Sequence, residues 1–205
     1  MKHDIATLQT KKSLAAALKE LAQEKPFSKI TVSQLIARCG FNRNTFYYHF
    51  EDIYALLQWT LEQEAIAVVK EFDLMVDYEE AIYFVMDYVE QNDKFLNNLC
   101  HSVGRDELKR FFYADFIGIS RSIIDKAEAL EGLTVPEDFK TFLGQFYTEA
   151  IAGILMNWIV DRSVRHRDQT VQYISTIMRT SIPAALHEAA KERERNDQAL
   201  SCPSR

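Results

Sequence analysis

Between Thr31 and Phe50 the chain carries two helix-start signals on either side of a single glycine, and no other stretch limits the local fold as tightly. Thr31 can cap a helix, with Gln34 three residues on as its capping-box partner and Ile30 and Leu35 at the hydrophobic-staple positions. Gly40 then turns the chain. Asn42 supplies a second cap, and Phe41 and Phe46 repeat the staple spacing around it. Two capped helices of about eight residues, joined by Cys39-Gly40-Phe41, form a helix-turn-helix, the unit whose second helix enters a major groove of DNA.

With Phe46 at the centre of the buried face, a helical turn of about 100° per residue puts Phe50 beside it and Asn44 and Tyr48 nearly opposite. Thr45 and Tyr47 fall on the flanks. The outward side chains suit base edges and phosphates. Asn44 can pair with adenine, Thr45 and the tyrosine rings can meet thymine methyls, and Arg43 can reach guanine or phosphate. Tyr47, Tyr48 and His49 can also donate to phosphates, which positions a protein without reading sequence. The plainer alternative, a core aromatic cluster, is adopted here for Phe46 and Phe50 alone.

A net charge of −6 taken by itself argues against nucleic acid, but the charge is unevenly spread. The first 50 residues hold eight Lys/Arg against three Asp/Glu, and the rest hold 16 against 27. The first quarter can approach phosphates, whereas the acidic remainder must face elsewhere. At 205 residues and 47% hydrophobic content the chain suits one large or two small domains. No apolar run reaches membrane-span length and the N-terminus lacks a signal-peptide core, so a cytoplasmic protein with no membrane partner is expected. Cys39, Cys100 and Cys202 are odd in number and widely spaced, which fits neither a disulfide framework nor a zinc cluster.

Four prolines and six glycines leave long stretches with apolar residues at three- and four-residue spacing, which predicts an all-α fold. The first helix is expected over about Thr7 to Glu24, with Leu14, Leu18 and Leu21 on one stripe and Pro26 as its stop. A connecting helix starts at the cap Asp52 and runs through Leu56, Leu57 and Trp59 to about Lys70. Further helices are expected over about 79–90, 92–100, 106–129, 136–160 and 168–179, with Pro183 ending or kinking the last before a short continuation to about Ala190. The resulting division is a three-helix DNA-binding domain over 1–51, a helical domain over 52–190 and a disordered tail over 191–205. There is no phosphate-binding glycine loop, nucleophile elbow or His-Glu-x-x-His zinc helix, and Cys100, His101, His166 and His187 lack metal-site spacing. Catalysis, a metal and a cofactor are not expected.

Residues 29–50, Lys-Ile-Thr-Val-Ser-Gln-Leu-Ile-Ala-Arg-Cys-Gly-Phe-Asn-Arg-Asn-Thr-Phe-Tyr-Tyr-His-Phe, resemble the DNA-binding signature of the TetR family of transcriptional regulators. The resemblance covers about the first 60 residues. It implies an all-helical homodimer on a palindromic double-stranded operator, acting as a repressor or an activator according to where the operator lies relative to the promoter, with a C-terminal domain that binds a small-molecule effector and pairs with its twin. By position, Thr31, Arg43, Asn44, Thr45, Tyr47, Tyr48 and His49 match places where the family touches DNA. The family often has a phosphate-reaching lysine at the start of the fourth helix, where this chain has Ile53 after Asp52. Gly153 and Trp158 in Ala-Gly-Ile-Leu-Met-Asn-Trp resemble a C-terminal subtype found in a branch that includes regulators of dihydroxyacetone kinase genes. Asp161-Arg162-Ser163 replaces that subtype's glycine-containing turn.

From Phe139 to Ile159 apolar residues cover more than one stripe, so this helix must be buried on two sides. Phe139, Leu143, Phe146, Ala150 and Gly153, with Ile174, Ile177 and Met178 from the following helix, can form a four-helix dimer seam or complete the core of one chain. Trp59, Phe95, Phe112, Phe116 and Tyr147 can line an effector cavity or fill it, and filling is the default. A rival to effector control is a promoter-targeted interaction module whose C-terminal domain docks a separate signal-sensing protein.

Overall fold

The computed structural model describes residues 2–72, 78–161, 163 and 166–201. Arg162 and Cys202 lie outside them. The described elements are helical throughout, with no strand among them. In chain order they are α1 (Lys2–Glu24), a 3-10 turn (Phe27–Lys29), α2 (Val32–Cys39), α3 (Arg43–His49) and α4 (Ile53–Leu61). A π-helical turn (Glu62–Ile66) leads into α5 (Ala67–Glu71). Then come α6 (Tyr78–Gln91), α7 (Asp93–Ser102), α8 (Arg105–Glu131), α9 (Glu137–Val160) and α10 (Arg167–Ser201). Contacts divide the described residues into two compact units, one drawn from 1–71 and 87–111, the other from 72–86 and 112–205.

In the first unit α1 packs against α2, α4 and α7, and α2 packs against α3. Leu14 and Leu18 of the expected stripe are fully buried, alongside Leu35, Phe46, Leu56, Leu57, Leu96 and Leu99. Each such side chain contributes about 1.5–3 kcal/mol relative to exposure. With no glycine or proline before Pro26, α1 starts at Lys2 rather than near Thr7.

The helix expected to run unbroken to Lys70 instead widens into the π turn after Leu61. Leu57, Leu61, Ala65 and Val69 are all buried and recur every fourth residue. In a regular α-helix that spacing drifts by about 40° per step, and one wider turn brings the stripe back to the core.

The core of the second unit gathers Ile123, Ile124 and Ala127 of α8, Leu143 and Tyr147 of α9, and Ile182, Leu186 and Ala189 of α10. Pro183 lies inside α10 and neither ends it nor limits it to a short continuation. Interior proline costs about 3 kcal/mol. Here buried Ile182 and Leu186 flank it and hold the helix to the core on both sides. Beyond Ala190, where a disordered tail is expected, α10 continues to Ser201. That segment is rich in Lys, Arg and Glu, good helix formers, and Lys191 pairs back with Glu188 at 2.6 Å.

An ion cluster closes the α8–α9 hairpin. The Lys140 ammonium meets Glu128 at 2.7 Å, Asp125 at 3.3 Å and Glu137 at 3.3 Å, and Arg121 meets Asp125 and Glu137. Glu128 also accepts the Val135 backbone N–H at 2.8 Å. Lys140 and the Val135 amide hold Glu128 below the usual carboxylate range, and Arg121 with Lys140 does so for Glu137. At Asp125 partial burial pulls upward, but Arg121 and Lys140 outweigh it.

Depressed carboxylates contribute stability that is complete above their unfolded values, about 3.9 for Asp and 4.3 for Glu. That stability is lost as pH falls through the lower folded values. Lys140→Met is therefore expected to cost about 1–2 kcal/mol at neutral pH. Urea titrations should show the gap to wild type closing below about pH 4; a gap independent of pH would assign the loss to packing.

Candidate nucleic-acid interface

Thr31 and Gln34 form the reciprocal capping box of α2: the Gln34 backbone N–H donates to Thr31 Oγ1 at 3.4 Å and the Thr31 N–H to Gln34 Oε1 at 3.1 Å. Gly40 closes the helix at φ +69°, in the left-handed region that favours glycine. The Phe41 N–H returns to the Ile36 carbonyl at 3.0 Å. Asn42 caps α3 through the Thr45 N–H at 2.8 Å, and Asp52 caps α4 through the Ala55 N–H at 2.8 Å. Helices this short are unstable alone, so caps and burial fix them.

Phe46 is 0% exposed, with Phe50 and Tyr47 rings against it at 6.1 and 5.4 Å between centroids. Pinning Phe46 inward turns the opposite face out. Arg43 and Asn44 are exposed, Thr45 and His49 half-buried, Tyr47 54% exposed and Tyr48 71% exposed. Thr31 is exposed at the start of α2. All seven residues singled out from the sequence thus lie on α3 or on the cap of α2.

Two details refine their chemistry. The Thr45 hydroxyl donates to Asn42 Oδ1 at 3.1 Å, so its methyl is the part left for an apolar base contact. Arg43 donates to Ser33 Oγ at 3.2 Å, which ties the start of α3 to the first turn of α2. Sequence reasoning passed over Ser33, because nothing in the local pattern links residues ten apart across the turn.

The basic excess of this region is partly spent inside the protein. Arg38 makes a forked pair with Glu24 at 2.7 and 3.0 Å and reaches Glu20 at 3.3 Å. Lys19 pairs with Glu64 at 2.6 Å, and Lys11 stands over the Phe50 and Trp59 rings. The Cys39 thiol donates to the Ser13 carbonyl at 3.3 Å, and burial raises its pKa.

The five candidate effector residues fall in different units. Trp59 and Phe95 belong to the first, with Trp59 against Phe50 at 5.8 Å and Phe95 buried. Phe112, Phe116 and Tyr147 belong to the second; the two phenylalanines stack at 6.0 Å and Tyr147 hydrogen-bonds Ser181 at 2.5 Å. An open groove of about 380 Å³ in the second unit involves none of the five; Pro136, Phe139 and Ala189 line it with charged neighbours.

Of the candidate seam residues, Leu143 lies in the core, with Phe139 and Met178 packed against it. Ile174 and Gly153 are half-buried, while Phe146, Ala150 and Ile177 are exposed. Phe142, left out of the seam set, is 63% exposed one turn before Phe146, and Ile154, Val160 and Tyr173 are exposed too. The i, i+4 spacing of Phe142 and Phe146 was the signal for it. Among the described residues no helix is long and apolar enough to cross a membrane, and no His/Cys/Asp/Glu group could hold a metal.

An all-helical chain with a doubly capped helix-turn-helix near its N-terminus and a helical C-terminal region is the build of a transcriptional regulator. The profile of bacterial regulatory proteins of the tetR family matches residues 14–58, and that of a TetR-type transcriptional regulator C-terminal region matches residues 77–183. The chain belongs to the TetR family of transcriptional regulators. It is 22% identical over 151 residues to the HTH-type dhaKLM operon transcriptional activator DhaS of Lactococcus lactis subsp. lactis (strain IL1403), covering 74% of this chain and 80% of that one. A solved dihydroxyacetone kinase operon activator DhaS shares the fold with a TM-score of 0.66 at 19% identity, over 88% of this chain and 98% of that one. A TetR transcriptional regulator from Streptococcus agalactiae 2603V gives a TM-score of 0.54 at 25% identity, over 86% and 97%.

Proposed function

We propose that the protein binds a palindromic double-stranded operator as a homodimer and that a small-molecule effector controls this binding. The observation that carries the reading is the outward face of α3, where Asn44, Tyr47 and Tyr48 project beside Arg43 while Phe46 anchors the helix from behind. Those groups suit base edges and phosphates, and the major groove admits a helix of this size. In this reading residues 1–51 carry DNA binding and residues 52–190 carry pairing and effector binding, within the cytoplasm.

Pairing is supported by the exposed apolar face of α9 and α10, where Phe142, Phe146, Ile154, Tyr173 and Ile177 are left to solvent in one chain. Ala150 and Gly153 allow close helix approach on α9, and a Cβ built at Gly153 would meet no atom within 4 Å beyond the adjoining turns of its own helix. The docked-partner alternative draws its support from the candidate effector residues, all of them packed against neighbouring rings or buried.

Fluorescence anisotropy with the duplex upstream of the protein's own gene, against a scrambled duplex of equal length, tests the reading across a salt series. Expected is selective binding by two subunits per site, with affinity falling steeply as salt rises. Equal, weak binding to both duplexes would count against it and favour the docked-partner alternative.

A further inference from the structure

The first unit takes in α7 as well as the helix-turn-helix, and one side chain makes the junction. Asn98 of α7 donates from Nδ2 to the Ala22 carbonyl at 2.7 Å and to the Lys25 carbonyl at 2.8 Å. Its Oδ1 accepts the Phe27 backbone N–H at 2.8 Å and the Ser102 hydroxyl at 3.0 Å. Both N–H groups and both lone pairs of the amide are thereby used. Ser102 Oγ lies 3.1 Å from the Phe27 nitrogen and backs the same contact.

The need for this side chain is written in the sequence. The helical partner of the Ala22 carbonyl would be the N–H of residue 26, but that residue is Pro26 and has none. Asn98 supplies the missing donor from another helix, and it also fixes the first N–H beyond the proline. Between the end of α1 and the Thr31 cap of α2 there are only six residues, 25–30, so this elbow sets the direction in which α2 and α3 leave α1. Buried Phe27 continues the anchor, with its ring edge-on to Tyr54 at the start of α4, 5.4 Å away.

We propose that Asn98 is a positioning residue for DNA reading: it holds the α1–α2 elbow in the one arrangement that presents α3 to a groove. This rests on the DNA-binding reading above. A reader whose elbow samples several directions binds with an affinity reduced by the fraction in the competent one.

The test uses the full chain with Asn98→Leu, which keeps the volume and removes all four hydrogen bonds, and with Asn97→Ala as its neighbouring control. The Asn97 side chain donates to Asp93, within α7 itself. The probes are the upstream duplex and the scrambled duplex, with circular dichroism melts run in parallel.

Expected for Asn98→Leu is a folded protein whose selective affinity falls about tenfold while its affinity for the scrambled duplex is unchanged, as when a tenth of the molecules stay competent. Asn97→Ala should bind as wild type. A lower melting temperature with unchanged operator affinity overturns the proposal and leaves Asn98 a purely structural residue. Should the Leu variant not fold, Ser102→Ala, which removes only the supporting hydroxyl, decides by the same criteria with an expected loss of about threefold. Wild type that fails to discriminate the duplexes overturns the DNA reading and this proposal together, whereas wild-type discrimination with an unaffected variant overturns this proposal alone.

Discussion

Changing Phe142 and Phe146 together to glutamate is expected to split the proposed homodimer and weaken its proposed operator binding by about 10²–10⁴-fold, the usual contribution of a second tethered site. In a single chain the two rings are 63% and 58% exposed, so charges there leave the core of the protomer intact. In the proposed homodimer the same surface would meet its own copy across a two-fold axis, and four carboxylates would then face each other in an apolar seam. Sedimentation should report monomers. Helical content should match wild type, and the salt slope of the residual DNA binding should fall to about half, because one reader neutralises about half the phosphates. Dimers of unchanged strength would place the interface elsewhere.

Phe46→Ala is expected to cost about 3–5 kcal/mol, the range for emptying a closed aromatic site. The ring is fully buried at the meeting of α3 with the rest of the first unit. Domains of ordinary stability hold about 5–15 kcal/mol in reserve, so the first unit would sit near its limit. Urea titration followed by fluorescence of Trp59, which stands against Phe50, reads this unit once Trp158 of the second unit is replaced by Phe in both wild type and variant. The matched contrast is Tyr47→Ala or Asn44→Ala, on the outward side of the same helix. These should leave the unfolding free energy within about 0.5 kcal/mol of wild type and lower operator affinity by about tenfold or more. A Tyr47 variant that loses stability but binds normally would move that ring from the interface to the scaffold.

How legible this fold was depends on distance along the chain. Thr31 with Gln34, Gly40, Asn42 with Thr45, and Asp52 with Ala55 act within a few residues, and the caps formed where the sequence placed them. The inward position of Phe46 followed from helical period alone. What escaped was tertiary. No local pattern says that Asn98 answers for Pro26, seventy-two positions earlier, or that Ser33 holds Arg43. The π turn after Leu61 and the persistence of α10 through Pro183 are likewise set by what the neighbouring faces bury, and packing overrides local propensity there. Splitting Leu143 from Phe146 failed for a related reason: periodicity shows that α9 has two apolar faces, but not which of them its own chain covers.

The pairing of Arg38 with Glu20 and Glu24, and of Lys19 with Glu64, has a bearing on life in a genome. A regulator is in competition with about 10⁶–10⁹ non-operator sites, and what binds it to those sites is almost entirely cationic charge against phosphate. Pairing Arg38 and Lys19 with the chain's own carboxylates leaves less cationic charge in the basic first quarter for that indiscriminate attraction. For the proposed operator binding, the outward side chains of α3 would then weigh more against competing sites than bulk charge does.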